Sequence, residues 1–151
     1  YKFYDLPCGR LDQVPIIEIN KIIEAEITKF KPNIIFTHSH SDTNNDHKIV
    51  HKSTLIATRP PTAPTVKELY SYEVLSSSEW KFSEVFNPNY FIKISYRDLK
   101  NKWDALAEYK TEIKEFPYPR SFNGLECLAK YRGMQSNNEY AEAFNIIRKF
   151  D

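Results

Sequence analysis

The segment that most limits how this chain can fold is Asn33-Ile-Ile-Phe-Thr-His-Ser-His-Ser-Asp-Thr-Asn-Asn-Asp-His-Lys-Ile-Val-His51. Ile34, Ile35 and Phe36 make a short apolar run of the kind a buried strand presents, and it empties into a polar loop carrying His38, His40, Asp42, Asn44 and Asp46. A helix follows. Asn45 and Asp46 are residue types that cap helix N-termini, and the segment then runs through His47, Val50, His51, Leu55 and Thr58 until Pro60 and Pro61 stop it. All four histidines of the chain lie between positions 38 and 51. Imidazole is a common ligand for zinc, and neighbouring carboxylates complete a donor mix that suits Zn²⁺. The carboxyl end of a strand, where a loop meets a helix N-terminus, is also where open α/β sheets place their sites.

The flanking patterns extend this unit into an α/β fold. Residues 1–13 read as the end of a strand followed by a turn punctuated by Pro7 and Gly9. Asp12 or Gln13 starts a helix with Pro15 near its first turn, and Ile16, Ile19, Ile23, Ile27 and Phe30 form its apolar stripe until Pro32 ends it. With a strand over 33–38 and a helix over 45–59, this αβα order predicts a Rossmann-like parallel sheet with helices on both faces. Residues 60–65 are a proline-rich connection too short to be an interdomain linker. Residues 66–74 alternate like a strand, and Ser76 to Trp80 make a polar loop. A turn at Asn87-Pro88-Asn89 leads into a strand over 90–95. Ser95 or Asp98 caps a helix reaching about Glu112, with Leu99, Trp103, Leu106, Tyr109 and Ile113 as its buried stripe. After Pro117 and Pro119 a helix spans 121–133, and 140–148 fits either a closing strand or a short helix.

Composition narrows the class of function. A chain of 151 residues, 41% hydrophobic and 27% charged, is expected to form a single domain over 1–151 with a core of its own. The net charge of +1, from dispersed Lys and Arg, offers no basic surface for nucleic acid. No apolar run reaches the ~20 residues of a membrane span, and no charged segment leads into an apolar signal region, so a cytoplasmic location is expected. Cys8 and Cys127 are expected to be free thiols. The chain opens at Tyr1 within an already patterned segment and is read as N-terminally truncated.

The histidine cluster admits two readings. His47 and His51, four apart on one helical face, can simply hydrogen-bond. Against that stands their concentration: four histidines and two aspartates within residues 38–51, at a strand-to-helix junction. Thr37-His-Ser-His-Ser-Asp42 is similar to the Thr-His-x-His-x-Asp-His loop of metallo-β-lactamase-like hydrolases, which would make His38 and His40 ligands; Thr43 stands where that loop has its last histidine.

A broader resemblance covers nearly the whole chain. Phe36-Thr-His38, Asp42-x-Asn-x-Asp-His47 and the helix closing in Ala57-Thr-Arg-Pro60 resemble the C-terminal portion of PIG-L/LmbE-type N-acetylglucosaminyl deacetylases. Leu6-Pro-Cys-Gly-Arg-Leu-Asp12, Tyr72-Glu-Val-x-Ser-Ser-x-Glu-Trp80, Phe86-Asn-Pro-Asn89, Pro119-Arg-Ser121, Ala129-Lys-x-Arg-Gly133 and Tyr140-Ala-Glu-Ala-Phe144 fall in the same family order. The resemblance implies a Zn²⁺-dependent hydrolase that removes the N-acetyl group of an acetamido-sugar conjugate with a zinc-activated water. It makes His47 the metal ligand. Asn44 takes the place of a histidine that stabilises the oxyanion, with Asp46 beside it as a further catalytic candidate. His38, Asp42, Arg59, Glu73 and Trp80 become candidates for the substrate site or its support, and Cys8 stands where many members have a sugar-binding Asp. It places two further ligands and the general base in a His-Pro-Asp-Asp motif that is absent from these residues. It also implies a homo-oligomer. The alternative from another class is a non-catalytic glycan-binding remnant of the same fold.

Overall fold

The computed structural model describes all residues from Tyr1 to Asp151. Helix α1 spans Ile16–Phe30, strand β1 Ile34–His38, α2 Asn45–Ala57, β2 Glu68–Tyr72, β3 Tyr90–Lys93, α3 Tyr96–Ala107, α4 Phe122–Gln135 and β4 Ala141–Lys149. Single 3₁₀ turns occupy Leu11–Gln13 and Ser78–Trp80.

The four strands form one sheet in the order β1-β2-β4-β3. β1 and β2 are parallel, with Ile34 opposite Glu68 and His38 opposite Tyr72. Parallel neighbours need a crossover, and α2 supplies it. The parallel arrangement expected from the αβα order stops at this pair, because β4 runs antiparallel to both β2 and β3. The stretch of ambiguous period is therefore the inner strand β4, where pairing on both edges and its β-branched Ile146 and Ile147 favour extended backbone.

Helices α1 and α2 cover one face. Ile27, Ala57, Ala63 and Val66 are buried together, with Ile23 and Ile35 against them, and Thr37 Oγ1 bonds Thr54 Oγ1 at 3.1 Å across the α2–β1 contact. On the other face Phe36 stacks on Tyr70 (ring centroids 5.3 Å) and Tyr70 on Tyr90 (5.2 Å). There α3 reaches the sheet through Lys102, whose Nζ lies 2.5 Å from Glu142 Oε1. Leu99, Leu125, Ala129 and Tyr140 form a second core where α3 and α4 meet the start of β4. The helices thus lie on both faces, as the pattern predicts. No helix is long and apolar enough to cross a membrane.

Several expectations shift in detail. Residues 1–7 form no strand and pair with neither edge of the sheet; they lie along α1 with Lys2 Nζ 2.6 Å from Glu26 Oε1. In the α1 stripe Ile19 and Ile27 are buried, while Phe30 is 66% exposed at the helix end. α2 ends at Ala57 because Arg59 precedes a proline, which disfavours helical backbone. α3 stops at Ala107, and Tyr109, expected in its buried stripe, is 63% exposed beyond it. α4 continues through Gly133 to Gln135; a β-carbon at 133 would lie 2.6 Å from the Asn138 carbonyl oxygen, so only glycine lets the following turn pass. Cys8 and Cys127 are exposed free thiols.

Candidate functional site

β1 delivers His38 to the carboxyl edge of the sheet, and the loop 39–44 carries the chain to α2. The loop is tied within itself: the Ser39 and Ser41 hydroxyls lie 2.8 Å apart and both residues are buried. Asn44 then caps α2, its Oδ1 accepting from the N–H groups of Asp46 (2.9 Å) and His47 (3.4 Å). The cap is thus one residue earlier than the Asn45-Asp46 expected from sequence. This leaves the Asn44 side-chain amide free to donate.

Asp42 is the centre of the loop. It is fully buried, its Oδ1 accepts from Asn44 N–H at 2.8 Å and from the Ser77 hydroxyl, and its Oδ2 lies 2.9 Å from His47 Nδ1. Burial pushes its carboxyl up, but the bonds from His47, Ser77 and Asn44 outweigh that and hold it below the ordinary carboxylate value. An ionised carboxylate only accepts, so the hydrogen-bond network assigns the His47 proton to Nδ1 and leaves the Nε2 lone pair unused. This is the arrangement in which a carboxylate orients a metal-binding imidazole.

His38 lies against His47, ring centroids 4.1 Å apart and planes 17° from parallel. Imidazole lone pairs lie in the ring plane, so two near-parallel stacked rings cannot converge on one ion. His38 instead limits rotation of His47. Its Nε2 is 3.3 Å from the Tyr72 hydroxyl, its Nδ1 is buried without a partner, and its pKa is pulled down to about 4, first by burial and then by His47, so the ring is neutral at pH 7. His51 Nδ1 bonds the His38 carbonyl oxygen at 2.8 Å, pinning the strand end to the second turn of α2. His40 faces elsewhere, toward Glu84 Oε1 at 3.1 Å, and does not join His38 as the metallo-β-lactamase-like reading needs.

The remaining candidates separate. Asp46 turns to the N-terminal loop, accepting from the N–H groups of Gly9 (2.5 Å) and Leu11 (3.0 Å). Gly9 sits at φ +71°, the left-handed conformation that glycine adopts without strain and that presents this N–H. Glu73 is held by Arg132 through both oxygens, at 2.7 and 2.5 Å. Trp80 ends the 3₁₀ turn after β2 and is 54% exposed. Arg59 is not brought to the site: about 15 Å of helix separates His47 from the far end of α2, where Arg59 Nε bonds the Ile56 carbonyl oxygen.

Ser77, Thr43 and Tyr72 are the site residues that sequence reasoning did not single out. Ser77 reaches Asp42, Thr43 Oγ1 bonds the Ser77 carbonyl oxygen at 2.6 Å, and Tyr72 reaches His38. One signal was available: the Ser76-Ser77-Ser78 run follows β2 directly, and parallel β1 and β2 end side by side. Tyr72 also walls an apolar cavity of about 570 Å³ between the sheet and α3–α4, with Val74, Leu75, Leu106, Leu128 and Phe144.

No three His, Cys, Asp or Glu side chains of this chain converge as a metal-ligand group. The chain offers one well-prepared donor, His47 Nε2 backed by Asp42, which fits a single position of a zinc site.

No family description matches the chain, and no curated protein matches its sequence. Solved structures do match its fold. The conserved protein TT1542 from Thermus thermophilus superposes with a TM-score of 0.73 at 21% identity, over 97% of this chain and 64% of that one. The zinc-inhibited form of teicoplanin deacetylase Orf2 gives 0.69 at 17% identity, over 99% and 57%. The N,N'-diacetylchitobiose deacetylase from Pyrococcus horikoshii, in complex with its inhibitor MPG, gives 0.61 at 16%, over 98% and 55%. At these identities the likeness is one of fold. The chain spans between 55% and 64% of the length of these three structures.

Proposed function

We propose that this chain, on a fold shared with an N,N'-diacetylchitobiose deacetylase and with deacetylases of the teicoplanin biosynthesis pathway, is the His47-bearing part of a zinc-dependent N-deacetylase acting on an acetamido-sugar conjugate. The observation that carries the reading is His47 itself: a histidine in the first turn of α2, stacked on the strand-end His38, with Nδ1 held by a buried carboxylate and Nε2 unused. The reading requires two more ligands and a general base, which the family resemblance assigns to a His-Pro-Asp-Asp motif these 151 residues do not contain. When bound, zinc supplies a Lewis acid that lowers the pKa of water toward neutrality and polarises the amide carbonyl.

The chain's own residues divide the work. His47 offers Nε2 as donor, and Asp42 and His38 fix its ring by hydrogen bond and by stacking. Asn44 caps α2 with its oxygen and would present its amide N–H to the negative charge that develops on the acetyl carbonyl oxygen. Asp46 serves the site by holding loop 9–11 against the start of α2. Trp80, exposed after β2, offers an aromatic face to the sugar ring, and the Glu73–Arg132 pair holds the base of that loop. Arg59 has no part in the site. Association of copies is part of this reading, since β1 is an open sheet edge with Ile34 and Phe36 about half exposed.

The test is zinc content and acetate release from N-acetylglucosamine conjugates, measured on the native protein and its His47→Ala variant. Zinc bound by the native protein and lost in the variant, together with acetate release, supports the reading. Glycan binding that is metal-free and insensitive to chelator would replace it with a non-catalytic binding module.

A further inference from the structure

Asp42 is held from a direction that no local rule supplies. Of its three side-chain partners, Asn44 and His47 belong to its own loop-to-helix segment, and only Ser77 comes from elsewhere in the fold. Ser77 is itself 4% exposed and fixed on both sides. Its N–H meets the Val74 carbonyl oxygen at 3.1 Å and Glu79 Oε2 at 2.9 Å, and its own carbonyl oxygen accepts from Thr43. The same loop is fastened to the opposite side by Arg120 Nε on the Leu75 carbonyl oxygen at 3.0 Å and by Arg132 on Glu73. The hydroxyl of Ser77 is therefore delivered to Asp42 by a braced loop.

The geometry points to Ser77 as a positioning residue for His47, acting through Asp42 to keep Nδ1 protonated and Nε2 as the outward donor atom. This rests on the reading of His47 as the metal-facing histidine. The Asn44 N–H holds Oδ1 from within the same loop-to-helix segment that carries His47, so the Ser77 hydroxyl is the one bond that ties this carboxylate to the rest of the fold and fixes the direction in which Oδ2 is presented. A histidine whose far nitrogen is not held samples its other tautomer and other ring angles, and loss of such a partner typically weakens metal binding 10- to 100-fold. The loop carrying Glu73 and Trp80 and the donor atom of His47 are then one mechanical unit.

The test uses ¹⁵N-labelled, metal-free protein, in which the contact with Asp42 Oδ2 should appear as a slowly exchanging proton on His47 Nδ1. Ser77→Ala should speed exchange of that proton about tenfold or more, the effect of one hydrogen bond to a charged group, and should populate the Nε2–H form. Ser77→Thr, which keeps the hydroxyl, should retain the native spectrum. A Ser77→Ala spectrum identical to the native one overturns the assignment, as does equal disturbance in the Ala and Thr variants. If Ser77→Ala does not fold, Ser77→Cys, with its weak donor, is read by the same two criteria. The readout needs neither zinc nor substrate, so failure of the deacetylase reading and failure of this one are seen separately.

Discussion

Oδ2 of Asp42 lies 2.9 Å from Nδ1 of His47, and the carboxylate that makes this contact is entirely shielded from solvent. A buried charge is tolerated only when its hydrogen bonds are complete, and here three donors complete them. The pair therefore bears on stability as well as on the direction of Nε2.

Asp42→Ala leaves the Nδ1–H of His47, the N–H of Asn44 and the hydroxyl of Ser77 without their acceptor. We expect a loss of about 2–4 kcal/mol of unfolding free energy, read from urea denaturation. His47→Ala is expected to cost less, because Asp42 keeps two donors and the vacated space opens toward the surface. Equal losses would mean that the carboxylate is not the hub of the loop.

Asn44 carries two proposed tasks that can be separated. Asn44→Ala removes the cap of α2 and should cost about 1 kcal/mol. Asn44→Asp keeps an oxygen acceptor for the cap but removes the amide donor, so the thermal midpoint should stay near the native value while kcat of the zinc-loaded enzyme falls by about 10²–10³. An Asp variant with native kcat would remove Asn44 from the oxyanion role.

The Glu73–Arg132 pair is bidentate and nearly buried. Breaking it on one side, by Arg132→Met or Glu73→Gln, should destabilise by about 3 kcal/mol. Arg132→Lys should not restore the loss, since an ammonium cannot reproduce the two parallel bonds. A double-mutant cycle by chemical denaturation measures the coupling, and a value near zero would show that the pair is not a brace.

Stability should fall with acid before the carboxylates titrate. Burial, aided by His47, holds the His38 pKa at about 4 in the folded chain against 6.5 for the free side chain, and burial lowers His51 as well. Between these values the unfolded chain binds more protons, so unfolding free energy rises with pH. The His38 contribution is fully present above pH 6.5 and decreases as pH drops toward 4, by on the order of 2–3 kcal/mol. Asp42, whose folded pKa lies below its ordinary value, adds a further loss in the same direction at lower pH. Denaturation midpoints from pH 7.5 to 4.5 should show this slope, and His38→Gln should flatten it.

Much of the fold was legible because its signals are local. The Ile19 and Ile27 spacing marked α1, the apolar run before His38 marked β1, and the prolines at 32 and 60 bounded the elements between them. Strand against helix at 140–148 was not legible, since a stretch of nine residues with apolar Ile146 and Ile147 fits both periods and only pairing on two edges decides it. The extended look of residues 1–7 misled for the same reason: a strand exists only where another strand accepts its hydrogen bonds.

By itself the sequence determined that a histidine-rich loop would join a strand end to a capped helix, and that His47 would stand in the first turn of that helix. These outcomes depend on residues within four or five positions of one another. Tertiary structure alone decided what surrounds the imidazole. Ser77 meets Asp42 from 35 positions away, Tyr72 meets His38 from 34 and Arg132 meets Glu73 from 59. Each pairing is set by the parallel register of β1 with β2 and by where β4 lets α4 come to rest. No periodicity or spacing encodes that register, because it is the outcome of burying several apolar faces at once, and so Asp42, which reads in sequence as a loop carboxylate open to a ligand, is in the folded chain the buried support of His47.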